Sequence, residues 1–312
     1  MTLDQVRLTL RLGRFELLAF VGLVLGSVLA AFVASAWVDS LRPAAECLPT
    51  FNEYTELTRS CLAALNAWDS PKGGLVGLIG GPVEFLPLAA GLFLGVPIVA
   101  RELERGTTRL AWTLTPSRLR WYVARLVPVL VIVAVISFAA GIASDRVMAA
   151  SEPGIDLANS FAGFGLRGVL LASRAVFIFA VAVAVGSIVG RSLPSIIIAT
   201  VIVAVGLTGG ADVHQRILRT EAVPRESGQV LPGDMYIDQR FRLPDGSLVR
   251  WDYFGNEVPL DADGNPKYPM VDLVVPGERY RGAETREALV LAGGSLVALT
   301  LAAFVVTRRR PD

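Results

Sequence analysis

The chain has 312 residues, of which 53% are hydrophobic and 18% charged, and a formal net charge of +1. A typical soluble domain carries about 25% charged residues. Here charge is missing from several windows of about 18 residues or more, the length that crosses a bilayer, so a polytopic membrane protein is expected. The near-neutral balance argues against a nucleic-acid partner. Two cysteines and one histidine, His214, argue against an all-protein zinc site.

In chain order, residues 2–16 mix Leu3, Val6, Leu8 and Leu10 with Arg7, Arg11 and Arg14, and read as an interfacial helix. The apolar run at 17–37 is longer than the hydrophobic region of a cleaved leader, despite Ala34-Ser35-Ala36, and reads as a retained first span. Further spans are expected at 83–100, 122–143, 168–190, 193–207 and 288–306, each apolar on all faces. The fold class is therefore all-α integral membrane, with six transmembrane helices. With the N-terminus inside, the inner segments hold twelve Arg or Lys and the two short outer loops hold five, which places both termini in the cytoplasm. Cys47 and Cys61 then share the first outer loop, where oxidation is permitted and a disulfide is expected.

Residues 1–210 form the first five helices, including a cytoplasmic loop at 101–121. Residues 211–286 form an extracytoplasmic segment, and residues 287–312 a sixth helix with a basic tail. In 211–286, turn signals such as Pro232-Gly233 and Pro244-Asp245-Gly246 separate β-prone stretches at 235–241, 248–254 and 271–275. Pro244-Asp245-Gly246 reads as a hairpin turn. Pro82, Pro87 and Pro97 predict kinks in the second span. Gly22/Gly26, Gly91/Gly95 and Gly186/Gly190, each pair four apart, are faces for close helix packing. Glu84 and Arg174 interrupt apolar runs. Each lies 16 residues from the inner end of its span, about 24 Å up, so an intramembrane ion pair between them is a candidate. The alternative is that each reaches the interface alone.

The chain has two lysines, Lys72 and Lys267, and each follows a proline. Without a Gly-Lys dipeptide there is no P-loop to cradle nucleotide phosphates. No G-x-S-x-G elbow or H-E-x-x-H helix is present either. The chain is therefore expected not to be an enzyme and to hold no cofactor of its own.

The loop between the second and third spans is dense with charge. Glu102 and Arg105 are three apart on a helix, as are Arg101 and Glu104, so both pairs are expected to close. Gly106 breaks that helix, and Thr107 or Thr108 starts a short one over 108–115, anchored at the interface by Trp112 and Trp121. The same residues also read as an ordinary basic loop that fixes topology.

Arg101-Glu102-Leu103-Glu104-Arg105-Gly106-Thr107, then Arg109-Leu110-Ala111-Trp112-Thr113 and Arg118-Leu119-Arg120-Trp121, resemble the signature loop of ABC-2 type permeases of the actinobacterial kind. The resemblance implies that this loop is a coupling helix seated on a separate ATP-binding subunit. Arg101, Glu102, Glu104, Arg105, Gly106 and Thr107 would form the docking turn. It also implies a dimer, homomeric or with a sister permease, two ATP-binding subunits carrying ATP and Mg, and export of an amphipathic drug, lipid or peptide across the cell membrane. Two other readings are a sensory or immunity protein that binds an external ligand through 211–286, and a membrane-embedded lipid-modifying enzyme. The second calls for clustered acidic residues at a membrane interface, and no D-x-x-D pair lies in the inner segments.

Overall fold

The computed structural model describes residues 10–11, 13–47, 58–108, 112, 117–226, 229–250, 253, 259–261 and 266–309. Helix α1 spans Arg14–Ser40. Helix α2, Arg59–Ala89, begins at Thr58, whose hydroxyl accepts from Cys61 N (3.3 Å). A π-helical segment, Ala90–Gly95, joins it to α3, Val96–Glu104. Helix α4 is Arg118–Ser151, capped by Ser117; α5 is Gly168–Val189; α6 is Ser192–Glu221. Strands β1 (Val223–Glu226), β2 (Met235–Arg242), β3 (Leu248–Val249) and β4 (Met270–Val275) precede α7, Tyr280–Arg308.

Among the described residues, five helical stretches are long and apolar enough to cross a membrane: Arg14–Ser40, Val83–Glu104, Arg118–Ser151, Gly168–Val189 and Gly277–Arg308. The expected fifth span appears as a shorter apolar stretch, Ser192–Gly206, inside α6. Helix α6 does not stop at 210, because residues 211–221 contain neither Pro nor Gly and nothing there breaks the helix. The segment between the last two helices is correspondingly narrower than 211–286, since α7 begins at Tyr280.

The sheet is antiparallel throughout, in the order β1-β4-β2-β3. The Pro244-Asp245-Gly246 hairpin forms: Gly246 takes φ +82°, and Leu243 N donates to Ser247 O (2.9 Å). Strand β1 lies outside the expected β-prone stretches; it carries Pro224 and stands at the sheet edge, where a missing N–H is tolerated. Leu218, Phe161, Val275, Tyr280 and Ala283 form a seam that fixes the sheet onto α6 and α7.

Helix α5 is the centre of the bundle and contacts α4, α6, α7 and the π segment with α3. Small residues set the spacing. A Cβ on Gly91 would lie 2.6 Å from Ile178 Cγ2, one on Gly95 2.9 Å from Phe179 O, and one on Gly186 3.0 Å from Val96 O. The π turn lies between Pro87 and Pro97. Pro97 has no N–H to return to Phe93, and Val96 N instead reaches back five residues to Gly91 O. Gly190 serves as the left-handed C-cap of α5 (φ +72°), and nothing lies within 4 Å of the Cβ positions of Gly22 and Gly26. A disulfide joins Cys47, in the 3-10 turn Ala45–Cys47, to Cys61 in the first turn of α2 (Cα–Cα 5.1 Å).

A larger residue at Gly95 must push α5 away. Gly95→Leu is expected to destabilise the purified protein by about 1–3 kcal/mol in thermal melts. Gly22→Ala, with open space around it, is expected to change stability by less than about 0.5 kcal/mol.

Candidate functional site

Helix α3 ends where Gly106 takes φ +68°, with Arg105 N donating to Arg101 O (3.1 Å) and Gly106 N to Leu103 O (3.2 Å). A left-handed residue at a helix end is the position glycine fills without strain. Thr107 Oγ1 donates to Glu102 O (3.3 Å) and folds the turn back on itself.

The charged residues of this turn are each held by a different helix. Arg101 pairs with Glu16 of α1 (2.6 Å), and Glu102 with Arg125 of α4 (2.6 Å). Glu104 Oε2 accepts from Ser192 N at the start of α6 (3.0 Å). The expected pairs within α3, Glu102 with Arg105 and Arg101 with Glu104, are not the ones made. Local pairs on a helix contribute only about 0.2–0.5 kcal/mol, and here the last turn of α3 lies within reach of α1, α4 and α6. A carboxylate at the first N–H groups of α6 also meets the positive end of that helix dipole. Of the six residues expected to dock a partner, Glu104, Arg105, Gly106 and Thr107 are exposed, while Arg101 and Glu102 are half-buried.

The same end of the bundle holds the close of α5 and of α7. Arg118 lies over the Trp112 ring (4.4 Å) and donates to Thr307 O (3.2 Å) and Arg309 O (2.5 Å) at the close of α7. Arg309 in turn donates to Ser187 O (2.8 Å) near the close of α5. Guanidinium groups thus satisfy carbonyls at two helix C-termini, the ends that attract positive charge. Trp112 and Trp121 meet edge to face at 6.2 Å. Of the expected helix at 108–115, residues 109–111 and 113–115 lie outside the described residues; Thr108 is buried. Of the expected interfacial helix at 2–16, residues 2–9 and 12 lie outside them too.

A second polar cluster sits at the opposite, sheet-bearing end. Arg174 does not pair with Glu84. Its Nε and Nη2 donate to Glu287 Oε1 (2.9 and 2.6 Å), and Glu84 is exposed. Equal depth did not make partners of them, because α5 turns Arg174 towards α7. His214 Nδ1 lies 3.6 Å from Glu287 Oε2, and its ring stacks on Phe164 at 5.0 Å. Burial holds the His214 imidazole below its ordinary value of 6.5, against the pull of Glu287. Sequence reading missed Glu287 because it stands one residue before the expected last span at 288–306 and so does not interrupt an apolar run. Nearby, the buried Arg167 binds Asp145 (2.5 Å) and the carbonyls of Leu157, Ser160 and Ala162, tying the loop before α5 to α4. Among the described residues, no group of three or more His, Cys, Asp or Glu is placed to hold a metal ion.

Comparison with protein families matches residues 12–213 to the family described as ABC-2 membrane transporter related. The chain belongs to that family. The match covers α1 to most of α6, and so includes the charged turn and each of the three helices that hold it. Comparison with curated proteins and with solved structures finds no match. As a member of the ABC-2 membrane family with five membrane-length apolar helices, the chain is a multi-pass membrane protein of the transporter permease type.

Two measurements check this site. Glu102→Ala and Arg125→Ala are each expected to cost about 1.5–3 kcal/mol, the range for a hydrogen bond to a charged group. The double variant should cost less than the sum of the two, as read from a thermal-melt cycle. Because His214 is depressed, the folded state keeps it neutral while the unfolded chain protonates near 6.5. Stability from this group is complete above about pH 6.5 and is lost as the pH falls below it. His214→Gln should flatten that part of the stability–pH curve.

Proposed function

We propose that the chain is the membrane-spanning permease subunit of an ABC-2 type exporter. It moves an amphipathic drug, lipid or peptide by alternating access. Two copies of a separate ATP-binding subunit, carrying ATP and Mg, supply the energy. The permease works as a homodimer or with a sister permease in the cell membrane, with both termini cytoplasmic. The chain itself performs no catalysis.

The observation that carries this reading is the turn at Arg101–Thr107. Its acidic residues and Arg101 are tied to α1, α4 and α6, while Arg105, Gly106 and Thr107 stand exposed at its tip. A surface pressed at that tip acts on three helices at once. Arg101, Glu102 and Glu104 therefore hold the turn, and Arg105 to Thr107 are the residues that meet the ATP-binding subunit. Family membership supports the same assignment.

A tagged chain should bring down a soluble ATP-binding protein with a Walker motif and raise its turnover. The triple variant Arg105→Glu, Gly106→Ala, Thr107→Ala should lower that association about ten-fold or more, with the amount of chain in the membrane unchanged. Undiminished association would remove the tip from the docking surface.

A further inference from the structure

Helices α4, α5 and α7 flank a shallow, open groove of about 410 Å³, within the usual range of volume for a small-molecule site. Val135, Phe138, Val169, Val176, Ala292 and Ser295 are among its walls. The hydroxyls present are spent on their own helices: Ser173 Oγ donates to Val169 O (2.9 Å) and Ser295 Oγ to Leu291 O (2.7 Å). The floor therefore offers apolar contact and no free donor.

The rim at the sheet-bearing end is different. Gly168, one residue beyond the groove wall at Val169, has Asp145 Oδ2 and Glu284 Oε1 at 3.8 and 3.9 Å from its Cβ position. Both carboxylates continue the groove's own helix faces. Asp145 follows Phe138 by seven residues, about 20° short of two turns and about 10 Å along α4. Glu284 precedes Ser295 by eleven, about 20° past three turns and about 16 Å along α7. Arg167 offsets Asp145. Among the described residues Glu284 accepts only from Tyr280 Oη (3.4 Å), a neutral donor, and no ion pair reaches it. Above the apolar trough, the rim thus presents a carboxylate, Glu284, that has no ion-pair partner within 4 Å among the described residues.

We propose that this groove binds an amphipathic cation. Its apolar body, about 10–15 Å long, lies against Phe138, Val176 and Ser295, and its ammonium head meets Glu284. Charge complementarity selects this occupant. An anionic headgroup would face the Glu284 carboxylate and be repelled by it. The assignment narrows the substrate class of the exporter and rests on that reading only for transport; binding belongs to the chain alone.

The test uses the full chain in phosphatidylcholine nanodiscs, without any ATP-binding subunit, so failure to find such a partner leaves it unaffected. The probes are a dansyl-labelled decyltrimethylammonium and the matching dansyl-labelled decyl sulfonate. The cation should bind about ten-fold more tightly than the anion, the modest selectivity of one partly screened charge pair. Glu284→Gln should bring the two within about three-fold, and Glu284→Lys should reverse the preference. Ala172→Trp, which fills the groove, should weaken the cation about ten-fold. Equal binding of both probes, as a simple acyl-chain groove would give, overturns the proposal. So does binding of neither, as for a groove covered by a second copy, or a preference that survives Glu284→Gln.

Discussion

The bundle depends on how closely the π segment and α3 approach α5. Gly91 and Gly95 on one side and Gly186 on the other leave no room for a side chain between the backbones. In lipid, apolar side chains gain nothing by leaving one hydrocarbon for another, so close packing is what holds helices together. Because α5 also contacts α4, α6 and α7, its position fixes theirs. The π turn belongs to this contact. A proline at 97 frees the Phe93 carbonyl, and the extra residue in the turn brings Gly91 and Gly95 onto the face that meets Ile178 and Phe179.

From that frame the two ends of the bundle follow different rules. At the end that holds the Arg101–Thr107 turn, charge is used to join helices: three residues of one helix end reach α1, α4 and α6, and two arginines close the ends of α5 and α7. At the sheet-bearing end, two arginines are closed into compensated groups. Arg174 and His214 share Glu287, and Arg167 satisfies Asp145 together with three carbonyls. Glu284 departs from this pattern, standing at the rim of an apolar groove with a tyrosine hydroxyl as its donor.

Much of the architecture was legible in the sequence because a lipid-crossing helix needs only length and apolar composition. The first four spans, the last one and the Pro244-Asp245-Gly246 hairpin rest on such local signals. What resisted reading was set by tertiary distance. Glu102 and Arg101 have suitable partners three residues away, yet they bond across helices, because neighbouring elements offered better-placed charges. Arg174 and Glu84 share a depth, but depth along a helix says nothing about which face a residue occupies. The short hydropathic length of the fifth span hid the fact that α6 continues well past its apolar part. Strand β1 lies outside the expected β-prone stretches and carries Pro224, whose cost vanishes at a sheet edge.

Helix α6 begins at the amide that Glu104 holds and leads, one residue after its end, into β1 of the sheet. At 30 residues it is about 45 Å long. Its middle contains Gly206, Gly209 and Gly210, around whose Cβ positions there is open space. A rod with bare glycines at its waist bends there more readily than at either grip. Tilting of its foot is therefore partly absorbed at the waist, whereas a push along its axis is passed on to the first strand.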